Sequence, residues 1–297
     1  MRLASATPCR ESSPHVRSPG GAPVSLVWGI VLVVAVDAIA IGAMLFVRRT
    51  APEGSYFADG DRASGVFGVL AGGFAIFAGF VVFLSFTTYD QSRAGAEAEA
   101  LVVIQQFETA QFLAPETRDR LDGELVCYGR SVVEQEWPLM ERGELGDALN
   151  PWGVALFRTI RAAEASTFAE QTAFAKWLDQ TSDREEARRD RVHGAAGVIP
   201  ATLWVVLLLA AGIIFFFMLF FADPAEMKRS QVMLVASATT IVVVTLLAIS
   251  SLDNPYRPGL GSLRPVAMER TLRILDEARA AIGDTSQQPC DESGIAR

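Results

Sequence analysis

Apolar positions gather into four long runs, 24–47, 66–86, 198–221 and 232–252. Each is close to the roughly 20 residues that carry a helix across ~30 Å of hydrocarbon. None contains Lys or Arg, and only the first contains an acid, Asp37. That first run exceeds the apolar core of a secretory signal, about 7–15 residues, and Arg48-Arg49 stand where a small-residue cleavage site would lie. The pattern predicts four transmembrane helices.

Between the second and third runs the period changes. Leu101, Ile104, Phe107 and Gln111 recur at helical spacing in "AGAEAEALVVIQQFETAQFL", with no Pro before them, so the second crossing is predicted to continue into one long helix. Pro115 opens another helix, whose stripe Leu121, Leu125, Tyr128 and Val132 needs a partner. "PLMERGELGDALNP" is expected to be a loop, Asn150-Pro151 to start a third helix, and Ser182 with Glu185 to cap a fourth. The expected fold is an all-α integral membrane protein with a helical soluble domain over 87–197. A disordered tail is expected over 1–23, a Pro/Gly-rich turn and amphipathic helix over 253–283, and a second disordered tail over 284–297.

Composition narrows function mainly by exclusion. A net charge of −8 gives no reason to expect a nucleic-acid partner. Cys9, Cys127 and Cys290 show no paired spacing, which argues against a zinc site and against a disulfide framework. There is no phosphate-binding glycine loop, and His15 and His193 are the only histidines, so no cofactor, metal or catalytic constellation is expected. The acid pairs Glu97/Glu99 and Glu134/Glu136, spaced i, i+2, read as solvated rather than catalytic. The chain reads as a non-enzyme. Arginine outnumbers lysine 24 to 2, as in a high-GC bacterial genome. Four crossings put both termini and 87–197 on one face. That side carries the larger number of basic residues, among them Arg93, Arg184, Arg188, Arg189, Arg191, Arg257 and Arg264. The opposite side has Arg48, Arg49, Arg62, Lys228 and Arg229. The count predicts a bacterial plasma-membrane protein with termini and helical domain in the cytoplasm.

The second crossing is two-sided by size. Gly68, Gly72, Ala75 and Gly79 lie along one face, while Leu70, Phe74, Phe77, Val81 and Leu84 lie opposite. Small residues let helix backbones approach in lipid. They serve either packing inside one bundle, with the aromatics toward lipid, or convergence of several copies on an axis, with an apolar constriction along it. Asp37, in mid-membrane, must face a bundle interior or water. Its expected partners are a proton, a cation or a hydroxyl such as Ser237, Thr240 or Thr245. It is expected to tune ion passage or assembly.

The passage "FLSFTTYDQSRAGAEAEA", with "EAEALVVIQQF", "CYGRSVVEQEWPLM", "VIPATLWVVLL" and "LDNPYRPG", resembles the bacterial bestrophin-like family over about residues 60–265. The resemblance implies a pentameric channel for inorganic anions whose second helices surround the pore, embedded in the lipid bilayer with termini in the cytoplasm. Carried across, the apolar neck falls on Ala78, Val82 and Phe86; the alternative register is Ile76, Phe80 and Phe83. The family's Trp-Trp after Tyr-Asp is replaced by Gln91-Ser92. The rival to a channel is a non-conducting assembly or sensor protein whose helical domain binds a partner through the Leu121, Leu125 and Tyr128 stripe.

Overall fold

The computed structural model describes residues 22–297, except 54, 58, 145–147, 260 and 285. Among them the chain is helical, with a single isolated β-bridge between Cys290 and Ala296. Four helices are long and apolar enough to cross a membrane: α1 (Ala22–Arg48), α2 (Gly60–Ala110), α7 (Ala201–Leu219) and α8 (Lys228–Asp253). The remaining elements are α3 (Pro115–Ser131), a π-helical turn Val132–Glu136, α4 (Trp137–Glu141), α5 (Pro151–Ala162), α6 (Phe168–His193), a 3₁₀ turn Gly194–Ala196 and α9 (Val266–Ala281). The disordered tail expected over 1–23 lies outside the described residues up to 21, and residues 22 and 23 belong to α1.

α2 has 51 residues, about 77 Å at 1.5 Å per residue, so it outruns the bilayer by more than half its length. Asp59 starts it by accepting from the Arg62 amide, and no Pro interrupts it. Outside the membrane it packs chiefly on α6. Gly95 makes that contact possible: a Cβ there would lie 2.5 Å from the Arg191 backbone nitrogen and 2.8 Å from the Ala187 carbonyl oxygen. Pro115 and Asn150 start α3 and α5 as expected, Asn150 accepting from the Trp152 and Gly153 amides. Ser182 starts nothing. α6 begins fifteen residues earlier than that cap would put it, at a Thr167–Glu170 capping box, and runs through Ser182 unbroken. The segment read as a loop from Pro138 is helical through Glu141, where α4 follows the π-helical turn without a break.

Leu121, Leu125, Tyr128 and Val132 form the centre of the helical-domain core, with Val103, Phe107, Trp137, Leu156, Ile160 and Trp177. α9 closes one side of this core through Met268 and Leu275. The C-terminal tail, expected to be disordered, is folded onto it. Cys290 is bonded to Cys127 of α3, the Trp152 indole donates to the Gly294 carbonyl at 2.6 Å, and Arg130 donates to the Asp291 carbonyl at 3.0 Å. The reading against a disulfide framework is corrected with it. The two partners are 163 residues apart, a separation on which local spacing says nothing.

The membrane half is looser within the protomer. No more than 22% of any crossing's most apolar window is buried there. α1 packs on α8, with Ala40 and Met44 against Val235, and α2 meets α7 and α8 through Ala78, Val81, Leu207 and Ile249.

Candidate functional site

The membrane half of α2 turns two different faces inward and outward. Ala78 and Val81 are buried, each 2% exposed, and Phe74, Phe77 and Val82 pack half-buried beside them. The outward face follows at steps of three and four residues through Gly65, Val69, Gly72, Ile76, Phe80, Phe83 and Thr87, all exposed. Ile76, Phe80 and Phe83 are 67%, 66% and 62% exposed. A Cβ added at Gly65, Gly68, Gly72, Gly73 or Gly79 would meet nothing within 4 Å. Ala75 is exposed on this side as well. Of the face that carries Leu70, Phe74, Phe77, Val81 and Leu84, all but exposed Leu84 are at least half-buried within the protomer, and the small-residue face is left open together with Ile76, Phe80 and Phe83.

This geometry separates the two registers. In the first, Ala78 faces the core against Leu207 and Ile249, Val82 is half-buried, and only Phe86 is exposed, its ring stacked on Tyr89 at 6.4 Å. Ala78, a pore-lining candidate of the first register, is instead covered by α7 and α8 within the protomer. Ile76, Phe80 and Phe83 of the second register share the open stripe. Below them it turns polar, through exposed Thr87 and Asp90.

Asp37 projects from α1 toward α8. Of the three hydroxyls that could meet it, Thr240 does, donating to Asp37 Oδ2 at 2.6 Å; Ser237 and Thr245 donate instead to carbonyls of their own helix. Asp37 Oδ1 is enclosed without a partner, as is the Thr239 hydroxyl. The carboxyl belongs to the α1–α8 contact and lies on a different helix from the open stripe of α2.

Sequence reasoning missed a buried ion network where α2, the π-helical turn and α6 meet. Arg191 binds both Glu99 and Glu136; Arg188 reaches Glu136 at 2.8 Å; Asn150 donates to Glu136 at 2.9 Å; and the Tyr128 hydroxyl donates to Glu99. Arg184 lies 4.9 Å over the Tyr128 ring and donates to Gln106 at 2.9 Å. Glu99 and Glu136, read as solvated, are 0% and 5% exposed. The signal was present in the spacing of Arg184, Arg188 and Arg191 at i, i+4, i+7, one polar stripe of α6 aimed at the domain interior. Burial alone would raise the Glu136 carboxyl, but the Arg191 and Arg188 guanidiniums outweigh it and hold it below the usual range. Burial, then the Glu99 carboxylate, pushes the Tyr128 phenol well above its usual value. The void beside this network holds only about 10 Å³, barely one water, so the charges satisfy each other rather than a ligand.

Asp253 performs a similar task at the membrane boundary. Its Oδ1 accepts from the Val198 and Ile199 amides at 2.8 Å each, and its Oδ2 from the Trp204 indole at 3.2 Å. This clamps the entry of α7 to the end of α8. Gly197 permits the approach with a φ of +77°. Among the described residues no three His, Cys, Asp or Glu side chains are grouped to hold a metal ion.

Comparison with known proteins follows the same outline. A model of the bestrophin-like domain matches residues 26–267. Two solved structures of variants of a bacterial bestrophin homologue from Klebsiella pneumoniae superpose with TM-scores of 0.62 and 0.60. They are 14% and 12% identical in sequence, cover 84% and 89% of this chain, and are themselves covered over 99% and 100% of their lengths. No curated protein matches.

Proposed function

Because the chain belongs to the bestrophin-like family, we propose that it works as an oligomeric ion channel, anion before cation, with the open face of α2 turned toward a shared axis. The observation that carries this reading is the stripe itself. Glycines at 65, 68, 72 and 79 leave room that nothing in the protomer fills, and in lipid such surfaces associate by close backbone approach. Ile76, Phe80 and Phe83 would then form an apolar constriction, which gates ions by dewetting, and Thr87 and Asp90 a polar exit. A pentamer is the assembly implied by the family resemblance. The competing partner-binding module loses its surface, since Leu121, Leu125 and Tyr128 are each 0% exposed.

The test is current across a planar bilayer holding the purified protein under a NaCl gradient. A reversal potential on the chloride side, with Ile76→Ala and Phe80→Ala raising conductance severalfold, is the expected result. Silence at every voltage from folded, inserted protein would overturn the channel. Current unchanged by either substitution would overturn the constriction.

A further inference from the structure

A second open feature involves helices α1 and α8. At the membrane boundary nearest the helical domain, α1 and α8 diverge around a crevice of about 630 Å³. Gly29 and Val33 of α1 and Val244 and Leu247 of α8 form its apolar walls, and Asn254 and Arg257 stand at its mouth. The ten residues from Val244 to the end of α8 at Asp253 span about 14 Å. That is close to half of the ~30 Å hydrocarbon thickness, so the crevice is one leaflet deep.

Its mouth is rigid and carries one uncompensated charge. The Tyr256 hydroxyl donates to the Arg191 carbonyl, its ring meets Trp137 edge-on at 5.4 Å, and the Leu263 amide donates to the Pro255 carbonyl at 2.8 Å. The turn that presents Arg257 is thereby tied to the helical-domain core. Arg257 itself is exposed, and among the described residues its guanidinium has no hydrogen-bond or ion-pair partner. Asp253, the acid on this turn, is committed to the entry of α7. Within the four apolar runs a neighbouring copy offers one acid, Asp37, which lies near mid-membrane and is bonded to Thr240.

We propose that this crevice binds an anionic phospholipid, one acyl chain lying between α1 and α8 and the phosphate meeting Arg257. An interfacial cation above a leaflet-deep apolar slot matches the two ends of such a molecule. One basic residue near the headgroups favours an anionic lipid by about fivefold. The site stands whether or not the chain conducts.

Native mass spectrometry of the full-length protein, titrated with phosphatidylglycerol or with phosphatidylcholine of the same chain length, tests it. Wild type should retain phosphatidylglycerol about fivefold better. Arg257→Gln should erase that preference while leaving phosphatidylcholine unchanged, and Arg257→Lys should keep it. Gly29→Phe, placed where a Cβ meets nothing within 4 Å, should displace both lipids. Equal retention of the two lipids by wild type, or an undiminished preference in Arg257→Gln, would overturn the proposal. Dissociation of the oligomer by Gly29→Phe with lipid retention unchanged would overturn it too, and would assign the crevice to a neighbouring copy.

Discussion

Gly72 and Gly95 sit on one unbroken helix, 23 positions apart, and do opposite things. At Gly95 the backbones of α2 and α6 touch, and a methyl group would strike a main-chain nitrogen. At Gly72 a methyl group would meet nothing. The soluble half of α2 is finished within the protomer; the membrane half is finished only on the face that holds Ala78 and Val81. The solvent explains the difference. In water, α2 gains by burying Val103 and Phe107, and Glu99 goes inside only together with its partners. In lipid, an exposed Ile or Phe loses nothing, so the chain can leave a whole face for other copies.

This contrast is sharpened first by attacking the finished half. Arg191→Met leaves Glu99 buried without a cation and Glu136 with Arg188 alone, and should destabilise the helical domain by about 3–5 kcal/mol in chemical unfolding. Breaking the tail's covalent tie should come next. Cys290→Ser should cost about 2–4 kcal/mol, and reductant should weaken wild type, but not the variant, by the same amount. The oxidation state of this pair in intact cells also reads which compartment the helical domain faces, since disulfides persist on the oxidising side. Loss of assembly without loss of domain stability in either variant would break the division between the two halves.

The finished half should also answer to pH. Burial, opposed by a hydrogen bond from Gln111 and reinforced by nearby Asp284, raises the Asp122 carboxyl from 3.8 to about 7; Arg279 and Arg118 act against the rise. A folded value above the unfolded one gives stability that is complete below pH ~4 and is lost as pH climbs toward 7. Acidifying from pH 8 to pH 5 should therefore stabilise the domain by about 3 kcal/mol through this group. Asp122→Asn should flatten that slope. An unchanged slope would mean that other groups, such as the likewise raised Glu124, carry it.

The four crossings, the length of α2 and the starts of α3 and α5 were legible because apolar run length and cap chemistry are local. The two-sidedness of α2 was legible as well, but not which side faces in, because both faces are compatible with lipid and only α7 and α8 decide. The ion network, the disulfide and the docked tail were hidden for a different reason. Each joins residues far apart in the chain, Glu99 with Arg191 and Cys127 with Cys290; the spacing of Arg184, Arg188 and Arg191 marked a polar stripe on α6 but not the partners it meets. The same blindness weakened the reading of orientation, which counted Arg184, Arg188 and Arg191 as surface charge although all three are buried.

The smallest perturbation divides the two halves most cleanly. Alanine at position 95 must push α6 away from α2, because the obstructing atoms are backbone and cannot rotate aside; about 1–3 kcal/mol of domain stability should be lost. Alanine at position 72 finds open space and replaces the poorest non-proline helix former with the best, a gain of up to about 1 kcal/mol for the isolated protomer. The oligomer should respond in the other direction. If copies approach through this stripe, the added methyl group separates their backbones, so Gly72→Ala should raise the dissociation constant of the assembly while domain unfolding stays unchanged or improves. Cross-linking or mass photometry across a dilution series reads the first quantity and chemical unfolding the second. A Gly72→Ala protein that assembles as wild type does would mean that this face meets lipid, and the axis would have to be sought on another helix.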